Sequence, residues 1–191
     1  MYQKFFKRLI DIVISLLGII ILGIPMLIIA LIVKVSDPGP ALFKQKRVGI
    51  HKTYFSLYKF RSMKMNTPDV PTHLLENPDS YLIGIGKGLR KSSLDELPQL
   101  FNILKGDMSI LGPRPALWNQ DDLIAERDKY GANDVKPGLT GWAQINGYRG
   151  DTSIRKRIDY DIYYIENWSM AFDFKIMLGT IRHGFVNKNA Y

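Results

Sequence analysis

The 191-residue chain has no cysteine, which excludes a disulfide, a thiolate nucleophile and any zinc site built on sulfur. Histidine is almost as scarce, and His51, His73 and His183 are scattered without the spacing of metal ligands. Acidic residues are the minority charge, 18 against 26 Lys and Arg. The resulting net charge of +8 favours anionic partners, whether phosphorylated ligands, lipid headgroups or nucleic acid. No internal repeat is visible. Formal charge is missing altogether from the 22 residues Ile12 to Val33, a run dominated by Ile and Leu.

About 20 such residues suffice to cross the hydrocarbon core of a bilayer. A cleaved signal peptide has a shorter apolar region, about 7–15 residues, and ends at a small-residue cleavage site, which does not follow here. The buried first helix of a soluble α+β enzyme would show a polar face at the 3.6-residue period, and this run is apolar all round. Both flanks are basic: Lys4, Lys7 and Arg8 precede it, and Lys34, Lys44, Lys46 and Arg47 follow. The positive-inside tendency places both flanks on the cytoplasmic side. Gly23-Ile24-Pro25 lies near the middle, where proline removes a donor and crowds the preceding turn, so a kink or break is expected. A re-entrant helical hairpin satisfies both flanks, whereas a tilted single span satisfies one. Arg8 and Asp11 have the helical spacing to pair with each other at the interface.

The turn formers Ser36-Asp37-Pro38-Gly39-Pro40 close this segment and divide a membrane unit, residues 1–35, from the remainder, residues 36–191. Ala41–Phe43 and Tyr54–Tyr58 read as extended segments around a Gly49–Lys52 turn, a basic hairpin. Residues 66–82, with Pro68, Pro71 and Pro78, read as loop. Leu97, Leu100, Phe101 and Leu104 have helical spacing, with Gly106 as the stop. Gln120 to Tyr130 reads as a solvated surface helix closed by Gly131. Val135 to Gly150 carries five glycines and prolines among Trp142 and Tyr148, a composition that suits a ligand loop. Arg155 to Asn167 sets Tyr160, Tyr163 and Tyr164 beside basic residues. This fits a lipid-headgroup boundary or, equally, an amphipathic helix with its aromatics packed inward. A last helix is expected over Ala171 to Phe185.

The chemistry concentrates at Ser93-Leu94-Asp95-Glu96. This has the form of a capping box, with Ser93 as N-cap and Glu96 reaching back, which accounts for Glu96 and leaves Asp95 unexplained. Pro98 is awkward for that box and argues for a helix start nearer Leu97. Adjacent carboxylates on a helix diverge by about 100°, so they cannot share one proton and suit two tasks. One can hold a hard cation such as Mg²⁺ alongside substrate phosphates while the other attacks phosphorus. Arg90, Lys91 and Arg114, the last fixed between Pro113 and Pro115, are candidates for clamping a diphosphate.

Tyr58-Lys59-Phe60-Arg61-Ser62-Met63, Ser93 to Asn102, Lys105-Gly106-Asp107-Met108-Ser109, Gly112-Pro113-Arg114-Pro115 and Lys136 to Gln144, in that order, resemble the bacterial sugar transferases, the monotopic phosphoglycosyl transferases. The resemblance covers nearly the whole chain. It implies a helix-rich α+β fold with a re-entrant membrane helix and a catalytic domain on the cytoplasmic face of the bacterial inner membrane, with interfacial amphipathic helices. It further implies transfer of a sugar 1-phosphate from a UDP-sugar to undecaprenyl phosphate, with release of UMP and a covalent intermediate on Asp95. By the same resemblance Glu96 matches the magnesium ligand, Arg90 and Arg114 match phosphate or nucleotide contacts, and Lys59 and Asp173 match further active-site positions. The family often breaks its membrane helix at Ser-Pro, where this chain has Ile24-Pro25.

In length the chain looks like the catalytic core alone, placed at the first membrane step of a capsule, exopolysaccharide, lipopolysaccharide or glycoprotein glycan. A homodimer is plausible on the same ground, and no nucleic acid is expected. The rival expectation is a non-enzymatic, membrane-anchored basic module that binds anionic lipid or nucleic acid and needs no carboxylate pair.

Overall fold

A computed structural model describes residues 5–68, 75–148 and 153–183. It is a mixed, helix-rich α+β structure, opened by one long helix, α1, over Lys7–Ser36. This helix continues through Pro25 without an intervening turn. Its inward residues Lys7, Asp11, Ser15, Met26 and Val33 are buried, with Leu22, Ile29 and Ala30 partly so, and together they trace one stripe at helical period down the whole length. The rest is apolar and bare: Ile24 is 72% exposed and Val35 85%. An apolar arc of that extent needs a nonaqueous surrounding, as the uncharged run predicted.

The polar residues at the start of α1 do not pair with each other as their spacing suggested. Arg8 donates instead to the carbonyls of Ile103 and Leu104, at 2.6 and 2.8 Å, and Asp11 accepts from the Ser109 hydroxyl and the Ile110 amide. Both are C-terminal partners supplied by tertiary packing, which outweighs a local exposed pair worth only a few tenths of a kcal/mol, about 0.2–0.5. At the other end, Asp37 pairs with the buried Arg61, whose Nε donates to the Pro40 carbonyl at 2.8 Å.

The expected basic hairpin is formed by β1 (Leu42–Val48) and β2 (Tyr54–Phe60), antiparallel with Leu42 opposite Phe60 and Val48 opposite Tyr54. The tight turn between them puts His51 and Lys52 at positive φ. Leu57 and Phe60 of β2 face the core. Helix α2 (Gly86–Ser92) leads through a one-turn 3₁₀ segment, Leu94–Glu96, to α3 (Gln99–Lys105), which ends at Gly106 with φ 103° as its glycine stop predicted. Asn102 ties α3 to the hairpin: its Oδ1 accepts from the Tyr58 amide at 2.9 Å and its Nδ2 donates to the Ser56 carbonyl at 2.8 Å.

Strand β3 (Ser109–Leu111) pairs in parallel with β4 (Gly138–Thr140), and α4 (Asp121–Asp128) lies between them in sequence. The surface reading of α4 is incomplete, because Leu123 and Arg127 are buried. Beyond β4 come α5 (Trp142–Ile145), α6 (Ile154–Glu166) and α7 (Met170–His183). Of the glycines in the Val135 to Gly150 stretch, Gly138 has a packing cause. A Cβ on Gly138 would fall 2.1 Å from the Gly112 nitrogen, and one on Gly112 would fall 2.5 Å from the Lys136 carbonyl oxygen, so only glycine lets the two backbones meet. The aromatics of α6 divide between the two alternatives: Tyr164 is buried, whereas Tyr163 is 48% exposed even though its ring stacks 6.0 Å from that of Trp142, which in turn lies 4.9 Å from Phe172, ring centre to ring centre. Residues 69–74 of the expected 66–82 loop, Gly150, and the end of the last helix beyond His183 lie outside the described residues.

Candidate active site

Four elements deliver charge to one place. The end of β2 carries Lys59, α2 carries Arg90, the 3₁₀ turn carries Asp95 and Glu96, and the segment after β3 carries Arg114. What aims the turn is Ser93, which closes α2 with its amide on the Arg90 carbonyl and takes φ 59°, ψ 16°. A left-handed serine stores strain of order 1–3 kcal/mol, and such strain gathers where surrounding structure needs a particular direction.

That conformation overturns the capping-box expectation. Ser93 makes no side-chain cap, and Glu96 meets it only through its amide, which donates to the Ser93 main-chain oxygen at 3.1 Å. The Glu96 carboxylate turns the other way. Its Oε1 accepts from Lys59 Nζ at 2.9 Å and from Arg114 Nη2 at 2.7 Å. A helix start after Leu97 holds: α3 begins at Gln99 with Pro98 before it.

The neighbouring carboxylates are driven in opposite directions. Burial alone would raise Glu96, but the charges and hydrogen bonds of Arg114 and Lys59 outweigh it and hold this carboxyl well below its usual 4.5. Asp95 is 6% exposed and accepts no hydrogen bond from a described residue. Burial pushes it above 3.8, helped by the nearby Glu96 charge, while Lys59, Arg90 and Arg114 pull it back. Lys59 is itself pushed below 10.5 by burial, against the pull of Glu96. Two adjacent acids whose surroundings separate their proton affinities are suited to different roles.

Lys59, Arg90, Asp95, Glu96 and Arg114 are therefore brought together as expected. Asp173 is held elsewhere. It is buried on α7, where it accepts from Lys7 Nζ at 2.8 Å and from the Tyr164 hydroxyl at 2.8 Å, so the contacts it makes there anchor the start of α1. Sequence reasoning missed Lys7 as its partner because 166 positions separate them. It also missed Arg127 and Arg157, each of which donates to the Arg114 carbonyl. Their only signal was a basic residue at a buried helical position, which burial alone reveals. Among the described residues no three Asp, Glu, His or Cys side chains converge to form a metal cage.

The model of the family described as bacterial sugar transferase matches residues 2–187. The chain is 43% identical to the UDP-glucose:undecaprenyl-phosphate glucose-1-phosphate transferase of Escherichia coli (strain K12), over 99% of this chain and 42% of that protein. It is 41% identical to the uncharacterized sugar transferase EpsL of Bacillus subtilis (strain 168), over 95% of this chain and 88% of that one. It is 37% identical to the undecaprenyl-phosphate galactose phosphotransferase of Salmonella typhimurium, over 99% and 42%. The chain thus spans about two fifths of the length of the first and third of these relatives. Matched over residues 2–187, the chain belongs to the bacterial sugar transferase family.

Proposed function

We propose that the chain moves a sugar 1-phosphate from a UDP-sugar to undecaprenyl phosphate in two displacements at Asp95. The observation that carries this reading is Asp95 itself, a buried carboxylate with no hydrogen-bond donor on it among the described residues, set among three cations beside a Glu96 that Lys59 and Arg114 hold by one oxygen. A carboxylate held in this way keeps its lone pairs for a reacting atom.

In the first displacement an Asp95 oxygen attacks the β-phosphorus, the bond from that phosphorus to the bridging oxygen breaks, and UMP leaves with the electron pair. In the second, a phosphate oxygen of undecaprenyl phosphate attacks the same phosphorus and the bond to Asp95 breaks, restoring the carboxylate. Arg114 and Arg90 hold the diphosphate oxygens, with guanidinium geometry suited to phosphate. Lys59 keeps Glu96 ionised and adds positive charge where the leaving phosphate develops negative charge.

Magnesium fits this set as a shared ligand. Glu96 Oε1 is taken by Lys59 and Arg114, but Oε2 accepts no hydrogen bond from a described residue, and Mg²⁺ commonly takes one or two carboxylates plus substrate phosphates. Glu96, with Asp95 beside it, would hold the ion, which would neutralise diphosphate charge.

The membrane arrangement follows from the two ends of α1. Lys7 is tied to Asp173 and Asp37 to Arg61, so both ends attach to one domain, which favours a helix that stays on the cytoplasmic face of the bilayer over one that spans it. Met170, Phe174, Leu178 and Ile181 of α7 are exposed at helical spacing, with Lys175 and Arg182 beside them, in keeping with an interfacial helix. The reaction is placed at the first membrane step of a bacterial surface polysaccharide. A binding module without chemistry would leave the buried Asp95 unexplained.

The test is a panel of UDP-sugars presented to the detergent-purified protein with undecaprenyl phosphate and Mg²⁺, scoring UMP. One donor releasing UMP is expected, together with a phosphosugar adduct on Asp95 by mass spectrometry when the lipid is withheld. No UMP from any donor would sink the reading.

A further inference from the structure

Three arginines converge on the main chain that carries Arg114. Arg157 Nη2 donates to the Arg114 carbonyl at 2.7 Å and Arg127 Nη1 donates to the same oxygen at 3.0 Å. Arg47 Nη1 reaches the next carbonyl, that of Pro115, at 3.0 Å. Arg127 is held in turn by Asp161, which accepts from its Nε at 3.1 Å and also from its Nη2. Arg157, Arg127 and Asp161 are only 4%, 3% and 2% exposed.

As packing this is a poor arrangement. Two buried guanidiniums lie near one carboxylate that pairs with Arg127 alone, the Nε–H of Arg157 has no acceptor among the described residues, and burial together with the neighbouring Arg127 pushes the Arg157 pKa down to about 9. Apolar residues of the same volume commonly match or exceed the stability of such buried charges. What the arrangement does accomplish is local. Pro113 and Pro115 fix φ on either side of Arg114, and two guanidiniums occupy its carbonyl oxygen, so the peptide between them cannot turn. The side chain leaving that peptide is the one that meets Glu96 at 2.7 Å.

We infer that Arg157 and Arg127 are positioning residues, which pin the Arg114 main chain so that its guanidinium is already aimed at Glu96 and the diphosphate before the donor arrives. The inference rests on the phosphosugar-transfer reading, and it concerns preorganisation of a clamp rather than contact with substrate.

The experiment is a double-mutant cycle on UMP release. Arg157→Met is introduced into the wild type and into Arg114→Lys, with kcat, KM for the donor and the melting temperature measured for each. Arg157→Met is expected to lower kcat about tenfold to a hundredfold while KM moves less than about threefold. Its melting temperature should hold or rise, because an unbalanced buried charge is removed. In the Arg114→Lys background the same substitution should cost less than about twofold, since the group it positions is already altered.

An equal fold-loss in both backgrounds overturns the inference, as does a kcat that falls only in proportion to the folded fraction. Arg157→Lys, which keeps the charge and one donor, carries the same cycle if the Met variant does not fold, with a smaller loss of the same pattern expected. A wild type that releases no UMP from any donor fails the functional reading and this inference with it. An active wild type with additive losses fails the inference alone.

Discussion

Lys7 and Asp173 meet one to one at 2.8 Å, and the Tyr164 hydroxyl completes the carboxylate, whereas Asp95 and Glu96 divide Lys59, Arg90 and Arg114 unequally. The first cluster is buried and the second partly so, and both are built from ordinary cations and carboxylates. The first is closed: each oxygen of Asp173 has a donor. The second is open, with two cations on one oxygen of Glu96 and, among the described residues, no donor on Asp95. Burying a charge costs less when it is paired, so an unfinished cluster is one whose remaining partner is expected from outside. The comparison separates a joint from a working site without any appeal to motif.

The sharpest way to break it is Asp95→Asn. UMP release should fall by at least about a thousandfold, as for loss of a nucleophile, with the melting temperature unchanged or raised. The sign follows from linkage. The folded-state pKa of Asp95 lies above 3.8, so its contribution to stability is complete below the unfolded value and is lost as pH rises through the folded one. At neutral pH the charged Asp95 therefore burdens the fold, and removing the charge relieves it. A clear drop in melting temperature would place Asp95 with the structural pairs.

Glu96→Gln is next, with an expected loss of about a hundredfold in kcat. Here the melting temperature should fall at neutral pH. Glu96 titrates well below 4.5, so its stabilisation is present above that value and is lost only as pH falls through its folded-state pKa. Circular dichroism melts of the two variants at neutral pH should thus move in opposite directions, or one should move and the other not.

The pH profile offers a finer test. If ionised Asp95 is the attacking group, the acid limb of adduct formation should lie above 3.8, and Arg114→Met, which removes a charge that lowers Asp95, should move that limb upward. A limb unmoved by Arg114→Met would detach the two residues. The closed cluster should respond the other way round. Lys7→Met leaves Asp173 buried and unpaired, an expected cost of about 3–5 kcal/mol in stability, while kcat per folded molecule stays within about threefold. Smallest of all, Ser93→Gly should relieve the positive φ by about 0.5–1 kcal/mol in thermal melts, provided kcat is followed to see whether the looser turn still aims Asp95.

Much of this was legible in the sequence. The apolar run, the basic hairpin, the glycine stop at Gly106 and the Asp95–Glu96 pair all follow from local pattern, because local pattern is what sets helix ends, turns and exposed faces. What stayed hidden depends on residues far apart in sequence. Arg8 and Asp11 look like a pair until α3 and β3 supply better partners. Ser93 looks like a cap until its backbone turns left-handed. Nothing local shows that Gly138 must be glycine because Gly112 comes against it. Arg127 reads as part of a solvated face and Arg157 as one of the basic residues beside the tyrosines until burial shows both on the Arg114 carbonyl.

The stripe along α1 has one more consequence. Met26 and Val33 share a core with Phe60, Ile83 and Leu89, and Gly18 sits so close to Leu100 that an added methyl would fall 3.0 Å from the Leu100 side chain. The turn formers near residue 36 therefore do not divide two folding units. Lipid and protein compete for neighbouring faces of one helix, so a chain begun at Pro38 would be left with an open groove where a wall had been. It would be expected to aggregate rather than to become a soluble enzyme, and grafting an unrelated membrane helix in place of α1 would restore attachment without restoring the fold.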